Sequence, residues 1–249
     1  RQKKQHSNMG ASNFVLFNIF THDIIIFGKQ RRDIMKEKEE ERLQKMLEIE
    51  EGLYSKGIKL VCGVDEAGRG PLCGPVVAAA VILKPDFICD DINDSKKISE
   101  KKREKLFDLI IENALAYSVQ MVSPQEIDQI NILQASLTGM KRAVFDLGIT
   151  PDIVLVDGNK TPADMPCETR AVVKGDATSM SIAAASILAK VSRDRFMAQL
   201  DKEYPQYQLL KHKGYPTKQH YELIAEHGIQ DFYRKSFFTK RPELLWKKD

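Results

Sequence analysis

The sequence predicts an α/β fold in which a mixed central sheet is flanked by helices and followed by a C-terminal helical extension. Three observations carry this. Val76 to Leu83 and Ile153 to Val156 are near-continuous apolar runs, as strands buried on both faces require. Between such runs lie stretches whose apolar residues recur every three or four positions. Strands lead the order and helices then alternate with them, which gives a mixed rather than an all-parallel sheet.

Residues 1–33 combine a polar start with an apolar run of no clean period and form an unassigned tail; an expression remnant and a start at Met9 are both open readings. A charged helix is predicted over 34–57, with Leu43, Met46, Leu47, Leu53 and Tyr54 on one narrow stripe and Gly57 closing it. Residues 58–249 then make one domain, the C-terminal helices included. It opens with a strand from Leu60 to Asp65, a glycine-rich corner, and the strand from Val76 to Leu83. A helix starting at Ser99 carries Leu106, Phe107, Ile110, Ile111 and Ala114 on one face, and a strand follows from Ser118 to Val122. Ser123-Pro124-Gln125-Glu126 is a capping box with proline at the first helical position, and it introduces one short and one longer helix running toward Gly148. The strand Ile153 to Val156 ends abruptly at Asp157-Gly158, and a short strand, Ala171 to Val173, ends at Lys174-Gly175-Asp176. Ile182 to Val191 is apolar nearly all round, as a helix buried against a sheet must be; it turns amphipathic through Phe196 and Leu200 and stops at Pro205.

A chain of 249 residues can bury most of its apolar surface without disulfides. Cys62, Cys73, Cys89 and Cys167 are too far apart for a CxxC pair and read as small core residues of a reduced, cytoplasmic protein. The longest apolar stretch, Asn13 to Phe27, contains His22 and Asp23 and falls short of the ~20 residues a membrane-spanning helix needs. From Lys190 to Asp249 there are 13 basic and 8 acidic residues, against 25 and 27 in the rest of the chain. That asymmetry suits a polyanionic partner, although solvated Lys and Arg explain it as well.

The chemistry-bearing residues sit at strand ends. Asp65-Glu66 closes the first strand, Asp157 the one beginning at Ile153, and Asp176 follows Lys174-Gly175. Strand C-terminal ends are where open α/β sheets bind ligands, so these acids point to one crevice. Neighbouring strand residues face opposite ways, so Asp65 and Glu66 share a site only if the strand breaks there, and Gly68, Gly70 and Pro71 supply a break. Converging carboxylates repel unless hard cations neutralise them, and oxygen-only donors favour Mg²⁺ or Mn²⁺ over Zn²⁺. Each acid also has a plainer reading: a solvated turn at Asp65-Glu66, a turn at Asp157-Gly158, a helix N-cap at Asp176.

Six blocks in series resemble the motifs of the ribonuclease HII family: Gly63-Val64-Asp65-Glu66-Ala67-Gly68-Arg69-Gly70-Pro71, Asp94-Ser95-Lys96-Lys97, Val156-Asp157-Gly158, Lys174-Gly175-Asp176, Ser181 to Val191, and Lys211-His212-Lys213-Gly214-Tyr215. The resemblance covers about residues 60–238. It implies a ribonuclease H-like fold and a monomeric endonuclease that cuts the RNA strand of RNA–DNA hybrids and nicks duplex DNA 5′ to embedded ribonucleotides. It further implies two Mg²⁺ or Mn²⁺ ions on Asp65, Glu66, Asp157 and Asp176 as catalytic acids, with Asp65 bridging. Gly68, Arg69 and Gly70 would contact the substrate, the glycines letting backbone reach the 2′-hydroxyl and Arg69 taking a phosphate. Lys96, or its neighbour Lys97, would neutralise a phosphate, and Tyr215 would stack on the sugar beside the ribonucleotide. On the residues alone Tyr215 reads more readily as a core tyrosine in a surface loop. His212 reads as a loop or phosphate-facing residue.

Asp194, some 20 Å along the predicted helix from Ser179 at about 1.5 Å per residue, reads as structural and paired with an Arg. Gln230 to Phe238 has its phenylalanines one position late for a sliding-clamp peptide and is taken as the family's Arg-Lys-Ser-Phe element. Two other readings stand beside the main one. Ribonuclease HIII is the enzyme alternative, with Arg69 arguing for HII; a nucleic-acid-binding module whose acids merely cap turns is the other.

Overall fold

A computed structural model describes residues 36–92 and 98–245. The chain divides into two compact units, residues 1–44 and 45–249. In the first, residues 36–44 are helical and Arg42 pairs with Glu39 at 2.5 Å. The tail 1–33 and Lys96 with its motif neighbours lie outside the described residues.

Helix α1 is described over 36–54 and ends at Gly57, whose φ is +86°. The Ile58 amide reaches back to the Leu53 carbonyl and the Gly57 amide to Tyr54, a Schellman closure that only a left-handed residue allows. Five strands follow: β1 (Val61–Ala67), β2 (Val76–Leu83), β3 (Ala114–Val122), β4 (Ile153–Asp157) and β5 (Glu168–Val172). They form one sheet in the order β3-β2-β1-β4-β5, with β2 antiparallel to β1 and β3, and β4 parallel to β1 and β5. This is the mixed sheet expected from the sequence.

Helices cover both faces. Helix α2 (Glu100–Asn113) is capped by Ser99, and α3 (Pro124–Phe145) by Ser123. Helix α3 breaks at Asn131, with φ 64°, where the Asn131 side chain accepts from the amides of Leu133 and Gln134 and restarts the helix. The expected short and long helices are thus one element with a break. Glu126 completes no capping box, because its carboxylate is taken by Arg142 at 2.7 and 2.9 Å.

Alternation in the strands sorts the core. Cys62, Val64, Ala78, Ala80, Val154 and Val156 pack with Met140, Ala143 and Val144 of α3. Val61, Ile153 and Leu155 face the other way, toward Ile182 of helix α4 (Met180–Glu203) and Leu53 of α1. Helix α4 lies so close to β1 that a Cβ on Gly63 would meet the Ser181 and Ile182 backbone at 2.1–2.4 Å. A second core joins the end of α4 to the C-terminal segments, with Leu72, Cys73, Met197, Tyr207, Ile224, Tyr233 and Phe238 buried together; it includes the short helices α5 (Leu209–His212) and α6 (Lys218–His227).

Two of these boundaries, and the burial of two cysteines, differ from the sequence expectation. Ala114 begins β3 rather than ending the helix face, because α2 stops at Asn113. Strand β5 ends at Val172, leaving Val173 exposed. Of the four free cysteines only Cys62 and Cys73 are buried, the other two being partly exposed. No helix among the described residues is long and apolar enough to cross a membrane.

Gly63→Ala should therefore lose at least the ~1–3 kcal/mol typical of overpacking, since the obstruction is backbone and cannot rotate away. Gly52→Ala in α1, where a Cβ meets nothing within 4 Å, should gain up to about 1 kcal/mol from helix propensity. Thermal melting of the two variants checks both signs.

Candidate active site

The β1–β4 ladder ends at the pair Val64 and Val156, so Asp65 and Asp157 emerge level with each other at the C-terminal ends of two neighbouring parallel strands. Both continue the face that packs on α4, and the Ser186 hydroxyl of α4 donates to Asp65. Glu66 leaves the opposite face of β1. The sequence reading ended the strand at Asp65 and gave the break to Gly68, Gly70 and Pro71; β1 runs two residues further, to Ala67, and turns at Gly68, with φ +95°. Both acids reach one cavity because β1 outruns its pairing with β4. That cavity, about 250 Å³, is lined by Asp65, Glu66, Asp157, the 67–70 backbone, Arg69, Ser186, Lys190, Arg193 and Tyr215.

Its electrostatics are strained without a counter-ion. Burial first, then the neighbouring Glu66 and Asp157 carboxylates, push Asp65 well above the ordinary carboxylate range. Burial also raises Glu66, against the pull of the Arg69 guanidinium 3.3 Å away. Asp157 accepts from the Gly175 amide at 2.7 Å, which ties it to the turn Gly175–Ala177 carrying Asp176. Asp176 is 8% exposed and is not among the residues lining the cavity. Three carboxylates and a hydroxyl are an oxygen-only donor set, which fits a hard divalent cation. As folded, Glu66 is turned onto Arg69 and Asp157 onto Gly175. Among the described residues no group of three or more His, Cys, Asp or Glu is arranged around a single ion.

Two arginines missed by the sequence reading hold the glycine-rich corner. Arg234 is fully buried and donates to the carbonyls of Gly68, Arg69, Pro71 and Gly74 at 2.7–3.0 Å. Burial and the nearby Arg193 charge pull it down to about 9, so it stays charged at neutral pH. Arg193, 1% exposed, donates to Pro75, Cys73 and Lys213 carbonyls at 3.1–3.2 Å, linking this corner to the loop that carries Tyr215. Neither forms an ion pair with a described residue. Asp128 of α3 accepts from Lys235 and Ser236 and so pins the segment bearing Arg234. The only signal in the sequence was a pair of arginines inside motif blocks, where arginine ordinarily means a solvated or phosphate-facing group.

Tyr215 is 47% exposed, with its ring 3.3 Å from where a Gly70 Cβ would stand. Its loop is fastened by two buried, stacked histidines, centroids 4.0 Å apart. His212 faces the Tyr207 carbonyl and accepts from the Gly214 amide, so it is a scaffold residue rather than a phosphate contact. His220 faces the Tyr215 carbonyl and the Tyr233 hydroxyl, and burial holds it down to about 4. Asp194 is buried and paired with Lys190 at 2.6 Å and Arg103 at 3.7 Å, the structural role expected of it. Through Lys190 it also steadies the one lysine lining the cavity among the described residues, which the sequence reading did not single out.

The ribonuclease HII family profile matches residues 62–240. The chain is 55% identical over 184 residues to the ribonuclease HII of Vibrio campbellii, covering 74% of this chain and 86% of that protein. It is 56% identical over 189 residues to the ribonuclease HII of a Shewanella species, covering 74% and 90%. The solved ribonuclease H2 of Pyrococcus horikoshii superposes with a TM-score of 0.63 at 29% identity, over 74% of this chain and 96% of that one.

The raised carboxyls fix the sign of two measurements. A folded-state pKa above the unfolded one makes a contribution that is complete below the unfolded value and is lost as pH rises through the folded value, so the ionised cluster costs stability at neutral pH. Without metal, Asp65→Asn should melt higher than the parent at pH 7.5 and converge with it as the pH is lowered toward 4; a lower melting point at pH 7.5 would contradict the strain. Arg234→Met leaves four inward carbonyls without a donor, each worth about 1–3 kcal/mol, and should lower the melting temperature far more than an exposed change such as Lys218→Met.

Proposed function

The chain belongs to the ribonuclease HII family, and on that footing we propose that it is a cytoplasmic, monomeric endonuclease that cuts the RNA strand of RNA–DNA hybrids and nicks duplex DNA 5′ to an embedded ribonucleotide, leaving 3′-hydroxyl and 5′-phosphate ends. The observation that carries this reading is the meeting, in one cavity, of Asp65, Glu66 and Asp157 with the 68–70 backbone and Tyr215. Acids that handle a phosphodiester and a backbone that reads a sugar belong together only where one strand is to be cut beside one kind of sugar.

Asp65, Glu66 and Asp157, with Asp176 from the adjoining turn, would hold two Mg²⁺ or Mn²⁺ ions. Bound there, such ions activate a water and neutralise the leaving oxygen of an in-line displacement. The chain's own groups do the rest. Arg69 exchanges Glu66 for a substrate phosphate, a move open to it because its side chain is half exposed. Lys190 places a second cation at the cavity wall. Gly68 and Gly70 leave the sugar room against bare backbone, and a ribose 2′-hydroxyl finds polar groups there that a deoxyribose cannot use. The Tyr215 ring, standing against Gly70, covers that sugar and sets the angle of the scissile bond. Lys96 adds a phosphate contact from outside the described residues.

The test is a duplex DNA carrying one ribonucleotide, with an all-DNA control, in Mg²⁺ and in chelator. Cleavage should occur once, 5′ to the ribonucleotide, and only with metal; binding without turnover would leave a nucleic-acid-binding module, and cleavage only of longer RNA tracts would indicate ribonuclease HIII-like selectivity. Asp157→Asn should slow the wild-type rate by about 10³-fold, roughly 4 kcal/mol. Tyr215→Ala should lose about 10²-fold through misplacement of the scissile bond while Tyr215→Phe keeps most activity. Wild-type turnover by Tyr215→Ala would remove the ring from recognition.

A further inference from the structure

Glu50 is a buried carboxylate outside every motif above. It projects from α1, is 3% exposed, and its Oε1 accepts three hydrogen bonds: from the Ser179 hydroxyl at 2.6 Å, the Ser181 hydroxyl at 2.8 Å and the Ser181 amide at 3.0 Å. Its Oε2 has no hydrogen-bond partner among the described residues. Burying a carboxylate this deeply is costly, and three charge-assisted hydrogen bonds at the positive end of a helix are what offset it.

The place it holds is where the acid-bearing elements meet. Ser179 caps α4, its oxygen also accepting from the Ile182 amide, and its own amide donates to the Gly175 carbonyl at 2.9 Å. The Gly175 amide in turn donates to Asp157, and Asp176 is the next residue. Ser181 presses its backbone on Gly63, two residues before Asp65. Gly175 itself lies against the Ile182 side chain and, 3.3 Å from where a Cβ would stand, the Asp157 carboxylate. A shift of the start of α4 therefore moves Asp157, the Asp176 turn and the strand bearing Asp65 relative to one another.

We propose that Glu50 is a positioning residue for the metal-binding acids, holding the start of α4 through Ser179 and Ser181 so that Asp157 and Asp176 keep their spacing from Asp65. This rests on the functional reading above. It gives α1 a part in the active site without contact to substrate. With no described partner on Oε2, Glu50→Gln keeps the accepting oxygen and breaks none of its hydrogen bonds, whereas Glu50→Ala removes the tie.

The experiment is a titration of the full chain with Mn²⁺ followed by electron paramagnetic resonance, beside kcat and KM on the single-ribonucleotide duplex, well below the melting temperature. Glu50→Ala should bind Mn²⁺ about 10- to 100-fold more weakly and lower kcat with KM unchanged, and Glu50→Gln should restore most of both. Leu53→Ala, which removes only packing from the same helix, should lower the melting temperature and keep Mn²⁺ affinity. A folded Glu50→Ala with wild-type affinity and kcat would overturn the inference and leave Glu50 a simple cap. If Glu50→Ala does not fold, the Ser179→Ala/Ser181→Ala double variant is read in the same way, weaker Mn²⁺ binding supporting the inference and wild-type binding overturning it. A wild-type chain that neither binds Mn²⁺ nor cuts the duplex overturns the functional reading as well, whereas wild-type binding and cleavage beside an unaffected Glu50→Ala overturns this inference alone.

Discussion

Two guanidinium groups buried without ion-pair partners among the described residues organise the glycine-rich corner beside the acid-lined cavity. A carboxylate partner would have neutralised them locally; backbone carbonyls do something else. They spread each charge over several chain segments, so that Arg234 gathers residues 68–74 and Arg193 ties that corner to the loop at 213. A glycine-rich corner has little conformational preference of its own. Fixed donors replace that missing preference, and desolvation makes their loss costly. Arg193 also lines the cavity that the three carboxylates wall.

The acids are held on the opposite principle. Asp65 and Asp157 stand on adjacent parallel strands whose register no local rearrangement can change, and α4 packs against that register at Gly63 with no room for a methyl group. Mutual repulsion among the carboxylates is thus borne by the sheet rather than relieved by movement. Strain of this kind is common where a site must be ready for a cation and a phosphate before either arrives. The two regions share α4: Ser186 reaches Asp65, Lys190 lines the cavity, and Arg193 holds the corner, at intervals of three and four residues that put all three on one side of the helix. That is why this helix is buried along most of its length and yet carries polar residues, a combination its apolar run alone does not explain.

How much of this was legible differs by kind of information. The strand runs, the caps at Ser99 and Ser123, the closure at Gly57 and the strand-end acids are local in sequence, and propensity and periodicity report them directly. The strand was expected to end at Asp65, two residues short, because the ladder with β2 carries it on to Ala67 before the glycine corner turns it at Gly68. His212 was read as a loop or phosphate-facing residue; its stacking on His220, eight residues away, which makes it a buried part of the scaffold, has no local signature.

By itself the sequence determined the mixed α/β class, the acids at the ends of β1 and β4 and the motif order, since each depends on neighbouring residues and on spacing along the chain. Tertiary structure alone decided which carbonyls Arg193 and Arg234 would find, that Glu50 would meet Ser179 and Ser181 from 129 and 131 residues away, and that Asp157 would be fastened to Gly175. A buried polar side chain is satisfied by whatever the fold brings to it, and the identity of that partner is written in no local pattern.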